Sequence, residues 1–502
     1  MLLQRMSAGF LVVVACLPGD DGMGTGSTGA GSTTWTSGTA ESTGTSEPLL
    51  EGEAPVSSLA PGPGSEGPVV GDSPVAEVVA EAVEVEDAEP PIGHRVSRRT
   101  TLVFAEPRWG AAYRGRIDMD NPFAIYEFVD GKGCTGEGWV RVDAMGYACL
   151  RGATVSKRKG KVQPPVPAGR VVPYVYAKAR ADKAGVLLAP VPRYRNVAAM
   201  VRGDAPRDWL EPHHQYAFVA SQKVPGVGTV LLDRSRRAVR ADALQLERPS
   251  EFHGRDLTEK PVPEGVVAAW AAEAPVLVRA AAGETAPVVG RVEYHREIHV
   301  ASTPVRVGEV DWYALHGDDL PVGFVSDEDI RRWIPAAPLD EPRWLDVELS
   351  EQTLTIYEGD VPVFVTLISS GAGDNPTPRG VFRIWHKQAL GDMSSLPGAE
   401  DSYTVEDVPW VMYFHRRFAL HASFWHNKFG RRRSHGCINL SPMDAARVFG
   451  QTTPTVPPGW TFVYEHEDEP GTTVRIRKGT AQVPDRRREI GVADEVEDED
   501  RG

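Results

Sequence analysis

From about Arg98 to Pro338 the chain never holds one hydrophobic period for long. Short apolar–polar alternations are broken by clusters of Gly, Pro and Asp, the signature of short strands and tight turns. One unit runs from Leu102 to Leu150, with the strand-like string Gly138-Trp139-Val140-Arg141-Val142 followed by Gly146-Tyr147-Ala148-Cys149. A second, from Val276 to Trp333, has Asp311-Trp312-Tyr313-Ala314-Leu315 and then Pro321-Val322-Gly323-Phe324-Val325. A third and weaker candidate lies between Val172 and Leu246. A single irregular β domain would show the same texture. At 502 residues, 41% of them apolar, the chain is long enough for several domains with real cores.

The ends have a different texture. Met1 to Cys16 carries one basic residue, Arg5, then a short apolar run from Phe10 to Ala15, the layout of an export signal. Its last residues, Val13-Val14-Ala15-Cys16, resemble the lipobox of bacterial lipoproteins, which implies that Cys16 becomes the lipidated first residue of the mature chain. Leu17, rather than an acidic residue, follows the cysteine, which in the lipoprotein pattern leans toward the outer membrane. From Leu17 to His94 there is no Lys or Arg; the stretch is Gly/Ser/Thr-rich, then Pro/Glu/Val-rich. Such a composition cannot bury enough apolar surface to offset its ordering entropy, so a disordered linker is expected. A coil of about 78 residues spans roughly 50 Å, a suitable tether between a membrane and a wall. The formal charge of −15 argues against nucleic acid as a partner. No run of about 18 apolar residues predicts a transmembrane helix.

Four cysteines are present. If Cys16 is lipidated, Cys134 and Cys149 remain as a natural pair within one module, in a compartment where disulfides persist. That pairing leaves Cys437 over as the odd cysteine, and an odd cysteine in an exported chain needs a reason. Two buried thiols at 134 and 149 are the alternative.

The reason lies in the C-terminal third. Trp344-Leu345-Asp346-Val347-Glu348-Leu349-Ser350 and Gln352 to Gly359 alternate on both sides of a polar break and predict β-hairpins. Val361 to Ser370 continues as a strand, and Asn375-Pro376-Thr377-Pro378-Arg379-Gly380-Val381-Phe382 is a Pro-rich turn into another. Leu420-His421-Ala422-Ser423 then leads into a loop ending in Ser434-His435-Gly436-Cys437-Ile438-Asn439-Leu440. Thiol acyl transfer needs a cysteine beside an imidazole that takes its proton, and His421 and His435 are the candidates. It also needs donors for an oxyanion, which backbone N–H groups around a glycine can supply. Gly436 lets the backbone approach a substrate closely. Beyond the cysteine a helix is predicted, with Ser441 as N-cap, Pro442 at its first position, Asp444 at its third and Gly450 as its stop.

This string resembles the catalytic signature of the L,D-transpeptidase (YkuD) family: an upstream His, a loop, then Ser/Thr-His-Gly-Cys, an apolar residue, and Arg or Asn. The Trp344 hairpin, the Thr377-Pro378-x-Gly380 turn and the strand before His421 also fit the family layout. Ala422 departs from the glycine of many members. The resemblance covers about a quarter of the chain. It implies Cys437 as nucleophile, His421 as general base, and an oxyanion hole shaped by the backbone of His435, Gly436 and Cys437. It further implies that Ser434 fixes the loop, that Asn439 orients the site or substrate, and that Ser423 and Arg433 lie on the substrate side. Two upstream units resemble bacterial SH3-like modules.

The expected fold is therefore mainly β. A leader with lipobox at 1–16 and a disordered acidic linker at 17–97 precede SH3-like modules at 98–160 and 262–338, with 165–250 as the weaker candidate for a third. A YkuD-like β catalytic domain follows at 343–467, with a short helix after the nucleophile, and then a charged tail at 468–502. The resemblance implies acyl transfer from a peptidoglycan tetrapeptide stem to an amine, on an exported periplasmic or outer-membrane lipoprotein held to the lipid membrane through Cys16, with no cofactor. An L,D-carboxypeptidase or a non-catalytic wall-binding lipoprotein would carry much of the same sequence. His421, His426, His435 and Cys437 could in principle bind zinc, but their spacing fits no common site, so no metal is expected. His415 and His426 are expected at the surface or in loops. Arg431-Arg432-Arg433 is expected as a solvated run, or as a partner for stem carboxylates at the mouth of the site.

Overall fold

The computed structural model describes residues 89–182, 185–273, 275–395 and 403–488, and the account below is of those residues. The leader with Cys16 and nearly all of the linker lie outside them. The described chain is mainly β, as expected. None of its helices is long and apolar enough to cross a membrane.

The catalytic region is built from two sheets around one core. In the first, the hairpin Arg343–Glu348 and Thr353–Glu358 pairs in register from Arg343↔Glu358 to Glu348↔Thr353. Val361–Leu367 extends it on one side. On the other side Thr473–Arg477 pairs parallel to Arg343–Glu348, followed by Gly380–Arg383. The domain sheet thus continues past residue 467, into the segment expected as a charged tail. Arg475 and Arg477 lie in that strand because both guanidiniums bond the buried carboxylate of Asp346. The second sheet holds the long antiparallel pair His386–Ser394 and Thr404–His415, followed by Phe418–Ala422 and then Ile438–Leu440 in parallel. One continuous core draws Leu345, Ile356 and Ile476 from the first sheet, Met412, Leu420 and Ile438 from the second, and Ala445, Val448 and Phe449 from the helix Pro442–Gly450.

That helix starts where the sequence places it. Ser441 caps it by accepting from the Asp444 N–H at 3.2 Å, with Pro442 in the first turn. Gly450 is its last residue rather than its stop, and Gln451 is the C-cap. Its final carbonyls are held by the buried Lys387, whose Nζ donates to the Phe449 and Thr452 carbonyls at 2.6 Å each. Burial pushes that ammonium down to about 7, while the two carbonyls satisfy it.

The upstream units are not separate beads. Tyr113–Ile117 pairs antiparallel with Phe462–Tyr464, Gly115 opposite Val463. A Cβ at Gly115 would sit 2.5 Å from the Phe462 carbonyl and 2.7 Å from the Trp460 ring, so the junction requires a glycine. On the opposite side His214–Phe218 pairs parallel with Thr404–His415 through His214↔Thr404 and Gln215↔Val405. One sheet of 13 strands therefore runs from the first unit through the catalytic region into the weaker unit between Val172 and Leu246. The first unit also begins earlier than residue 98, because Gly93–Ser97 pairs with Pro122–Ile125 and Ala153–Val155. The unit that includes Val276 to Trp333 has its own eight-stranded sheet. Just before it, Arg255–Asp256 pairs with Val361–Leu367 of the catalytic sheet. Cys134 and Cys149 form a disulfide.

Candidate active site

The two strands that carry the signature lie side by side and parallel, with Leu420↔Ile438, His421↔Asn439 and Ala422↔Leu440 as partners. Side chains alternate across a strand, so Leu420, Ala422, Ile438 and Leu440 share one face. All four belong to the main core beneath. Ala419, His421, Cys437 and Asn439 share the other. Cys437 Sγ lies 3.5 Å from the Ala419 N–H, which fixes it against the strand that carries His421. The thiol and the imidazole named from sequence are thus same-face neighbours on adjacent strands.

The His421 ring is oriented by its own strand end. Nδ1 lies 3.0 Å from the Ala422 carbonyl, which can only accept, so Nδ1 carries the proton. Nε2 keeps its lone pair and has no hydrogen-bond partner among the described residues. Burial pushes the imidazole down to about 4, with the carbonyl bond opposing. At neutral pH the side chain is therefore a neutral base with a free lone pair.

The turn before the cysteine is locked by Ser434. Its Oγ accepts from the Gly436 N–H at 3.1 Å and donates to the Cys437 carbonyl at 2.5 Å. Gly436 has φ +109°, and a Cβ there would fall 2.4 Å from the Phe418 ring. With its N–H bound to Ser434, Gly436 shapes the turn that presents Cys437. His435 is half-buried, its ring 5.9 Å from that of Tyr403. Behind the turn, the Gly371 N–H donates to Thr377 Oγ1 at 2.9 Å, so the Pro-rich turn braces the site from below.

Ser423 is fully buried; its N–H donates to the Leu440 carbonyl at 2.9 Å and its Oγ has no partner among the described residues. The same holds for Trp425 Nε1 and Asn439 Oδ1. Polar atoms are rarely buried without partners, so three between His421 and Trp425 and a fourth on the neighbouring strand mark where a ligand belongs.

Three expectations need correction. His426 lies in a loop, as one alternative had it, but is buried rather than at the surface, with Nε2 3.0 Å from the Asn439 amide, because that loop folds back onto the strand Ile438–Leu440. His415 is also buried, at the end of Thr404–His415 against Phe418 and Phe382. The arginine run is largely committed to its own protein. The Arg431 side chain bonds the Ala272 carbonyl and Glu273 of the 262–338 unit and that of Arg432 bonds the Gly371 carbonyl, while Arg433 bonds the Ser370 carbonyl through its backbone N–H. Cys437, left over in the sequence reckoning, is itself disulfide-bonded in this structure, so the thiol chemistry below is that of its reduced form.

The one group among the described residues whose ligand atoms could together meet a metal ion is His466, Glu467 and Asp468, largely at the surface. It includes none of the residues named from the signature.

Residues 342–476 match the family model of the YkuD L,D-transpeptidase catalytic domain. The matched segment contains His421, Ser434, His435, Gly436 and Cys437. The Bacillus subtilis protein YciB, which carries the name of an L,D-transpeptidase, is 29% identical over 120 residues, 21% of this chain and 59% of that protein. Two solved structures of an Enterococcus faecium L,D-transpeptidase are each 26% identical. A cysteine-to-serine mutant matches over 27% of this chain and 50% of its own length, and the catalytic domain alone over 28% and 98%. Both superpose with a TM-score of 0.22, so they carry no argument about geometry. The match thus spans about half to three-fifths of the longer relatives, and the roles of the YkuD residues rest on the site described above.

Proposed function

We propose that the protein is a peptidoglycan L,D-transpeptidase acting through Cys437. The observation that carries this reading is the placement of Cys437 and His421 on one face of two parallel strands, with the His421 tautomer fixed by the Ala422 carbonyl. The donor is a tetrapeptide stem. Reduced Cys437 Sγ attacks the carbonyl carbon of its third residue while the thiol proton passes to His421 Nε2. The tetrahedral intermediate then expels D-Ala, which takes the proton from His421 as the C–N bond breaks. A thioester remains on Cys437. An amine of a second stem, or of a protein, attacks it, forms the new amide and returns the thiol. A neutral imidazole suits both proton transfers.

In the same reading Asn439 and Ser423 face the substrate, and the upstream units serve as SH3-like wall-recognition modules. Lipid on Cys16 ties the exported chain to a membrane, and with that sulfur held in a thioether Cys437 works in its reduced form. The test uses the full chain under mild reductant with a defined disaccharide tetrapeptide, products being weighed by mass spectrometry. Cross-linked dimer with release of D-Ala, lost in Cys437→Ala, is expected. Tripeptide alone would make the protein an L,D-carboxypeptidase. No Cys437-dependent product would leave a non-catalytic wall-binding role.

A further inference from the structure

The loop between the two site strands closes into a ring of hydrogen bonds around Asn439. The Asn439 backbone exchanges two bonds with Ser369, N–H to carbonyl in both directions at 2.9 Å. Ser369 Oγ donates to the Lys428 carbonyl at 2.7 Å, and the Lys428 N–H donates to His426 Nδ1 at 3.1 Å. His426 Nε2 then meets the Asn439 side-chain amide at 3.0 Å. The ring packs on Phe429, 5.1 Å between centroids.

This geometry settles proton positions. Nδ1 accepts from a backbone N–H, so in the neutral imidazole the proton is on Nε2. Burial and the nearby Arg433 charge hold the ring neutral. An Nε2–H needs an acceptor, and the atom facing it must be the amide oxygen. As placed, Nδ2 faces the ring and Oδ1 has no partner among the described residues, an orientation that leaves donor against donor. Amide oxygen and nitrogen are interchangeable in shape, and the hydrogen-bond network decides between them. Turning the amide over satisfies His426. It also directs the N–H₂ group to the vacant side, on the face shared by His421 and Cys437.

We propose that His426 is a positioning residue for acyl transfer: its Nε2–H holds the Asn439 carboxamide oxygen, so that the Asn439 N–H₂ donates to the carbonyl or carboxylate oxygens of the bound stem. This rests on the transpeptidase reading and adds a residue to it. His426 itself touches no substrate.

The test is a double-mutant cycle on the reduced full chain, with a disaccharide tetrapeptide as donor and acceptor and kcat and KM read separately. His426→Phe keeps the ring packing and removes the donor. It should lower kcat about 10- to 100-fold, since a misplacement of about 1 Å can cost on the order of 10²-fold. His426→Gln, which restores an N–H, should recover most of the loss. In an Asn439→Ala background, His426→Phe should cost nothing further. Equal losses with and without Asn439, or a Gln variant no better than Phe, would overturn the proposal. If His426→Phe does not fold, Asn439→Asp decides. It keeps an acceptor for His426 but offers no donor, so its rate should fall as far as that of Asn439→Ala; a rate near that of the unaltered chain would overturn the proposal. An unaltered chain that forms no Cys437-dependent product overturns the transpeptidase reading, and this one with it.

Discussion

The two faces of the paired strands Phe418–Ala422 and Ile438–Leu440 are equally buried and differently satisfied. Leu420, Ala422, Ile438 and Leu440 on one face, and Ala419, His421, Cys437 and Asn439 on the other, are all 0% exposed. The first four ask nothing of their surroundings but contact. On the second face His421 Nε2 and Asn439 Oδ1 lack partners among the described residues, and each such group costs about 1–3 kcal/mol. Burial alone therefore does not tell core from site. Unmet hydrogen-bonding capacity does, and substitutions on the two faces should fail in different ways.

The largest effect is expected from Cys437→Ala, which removes one sulfur atom and, compared with the reduced chain, should abolish product while leaving the melting temperature nearly unchanged. Undiminished cross-linking would remove Cys437 from the reaction. Next is His421→Ala, expected to slow acylation by about 10²–10⁴-fold, the usual loss for a general base. Steady-state rates against pH sharpen the point. Burial holds His421 near 4, so the acidic limb of kcat/KM should fall at about 4. A limb near the ordinary histidine range would mean that another group is the base.

The apolar face should respond in stability instead. Leu420→Ala should cost about 2–5 kcal/mol by chemical denaturation, as core truncations do, with turnover per folded molecule largely retained. Acid should act through the buried imidazoles. Desolvation depresses His386 to about 3, and His295 and His421 to about 4, so the unfolded chain takes up protons first. Their contribution is complete above about 6.5 and is lost as pH falls from there toward 4 and 3. The denaturation midpoint should therefore drop across that window, and a flat profile would contradict the neutral, buried state. The smallest effect is expected at the rim. Arg431→Ala breaks a half-exposed pair with Glu273 and should change stability by no more than about 1 kcal/mol.

The site was more legible in the sequence than its surroundings. Ser434 to Asn439 named the turn, the thiol and the strand, and Ser441-Pro442 named the helix, because these are local signals. His426 was not legible: nothing within a few residues of Trp425-His426-Asn427 shows that the loop returns to Asn439, and a polar loop suggested solvent. The strand Thr473–Arg477 was hidden for a related reason. Its alternating arginines suggest a charged tail until Asp346, 129 positions from Arg475, supplies the counter-charge. Likewise, short strands could be read one by one, but not the pairing of Tyr113–Ile117 with Phe462–Tyr464, which depends on contacts far apart in sequence.

That last junction sets a timetable for biosynthesis. Gly115 and Val463 are partners across 348 positions of chain. A ribosome adding about 5–20 residues per second completes the first strand roughly 20–70 s before its mate exists. Throughout that interval its edge is an open template for pairing with any other extended chain. The nascent protein therefore needs something to occupy or shield that edge, a chaperone or delayed folding, until its own C-terminal strands arrive.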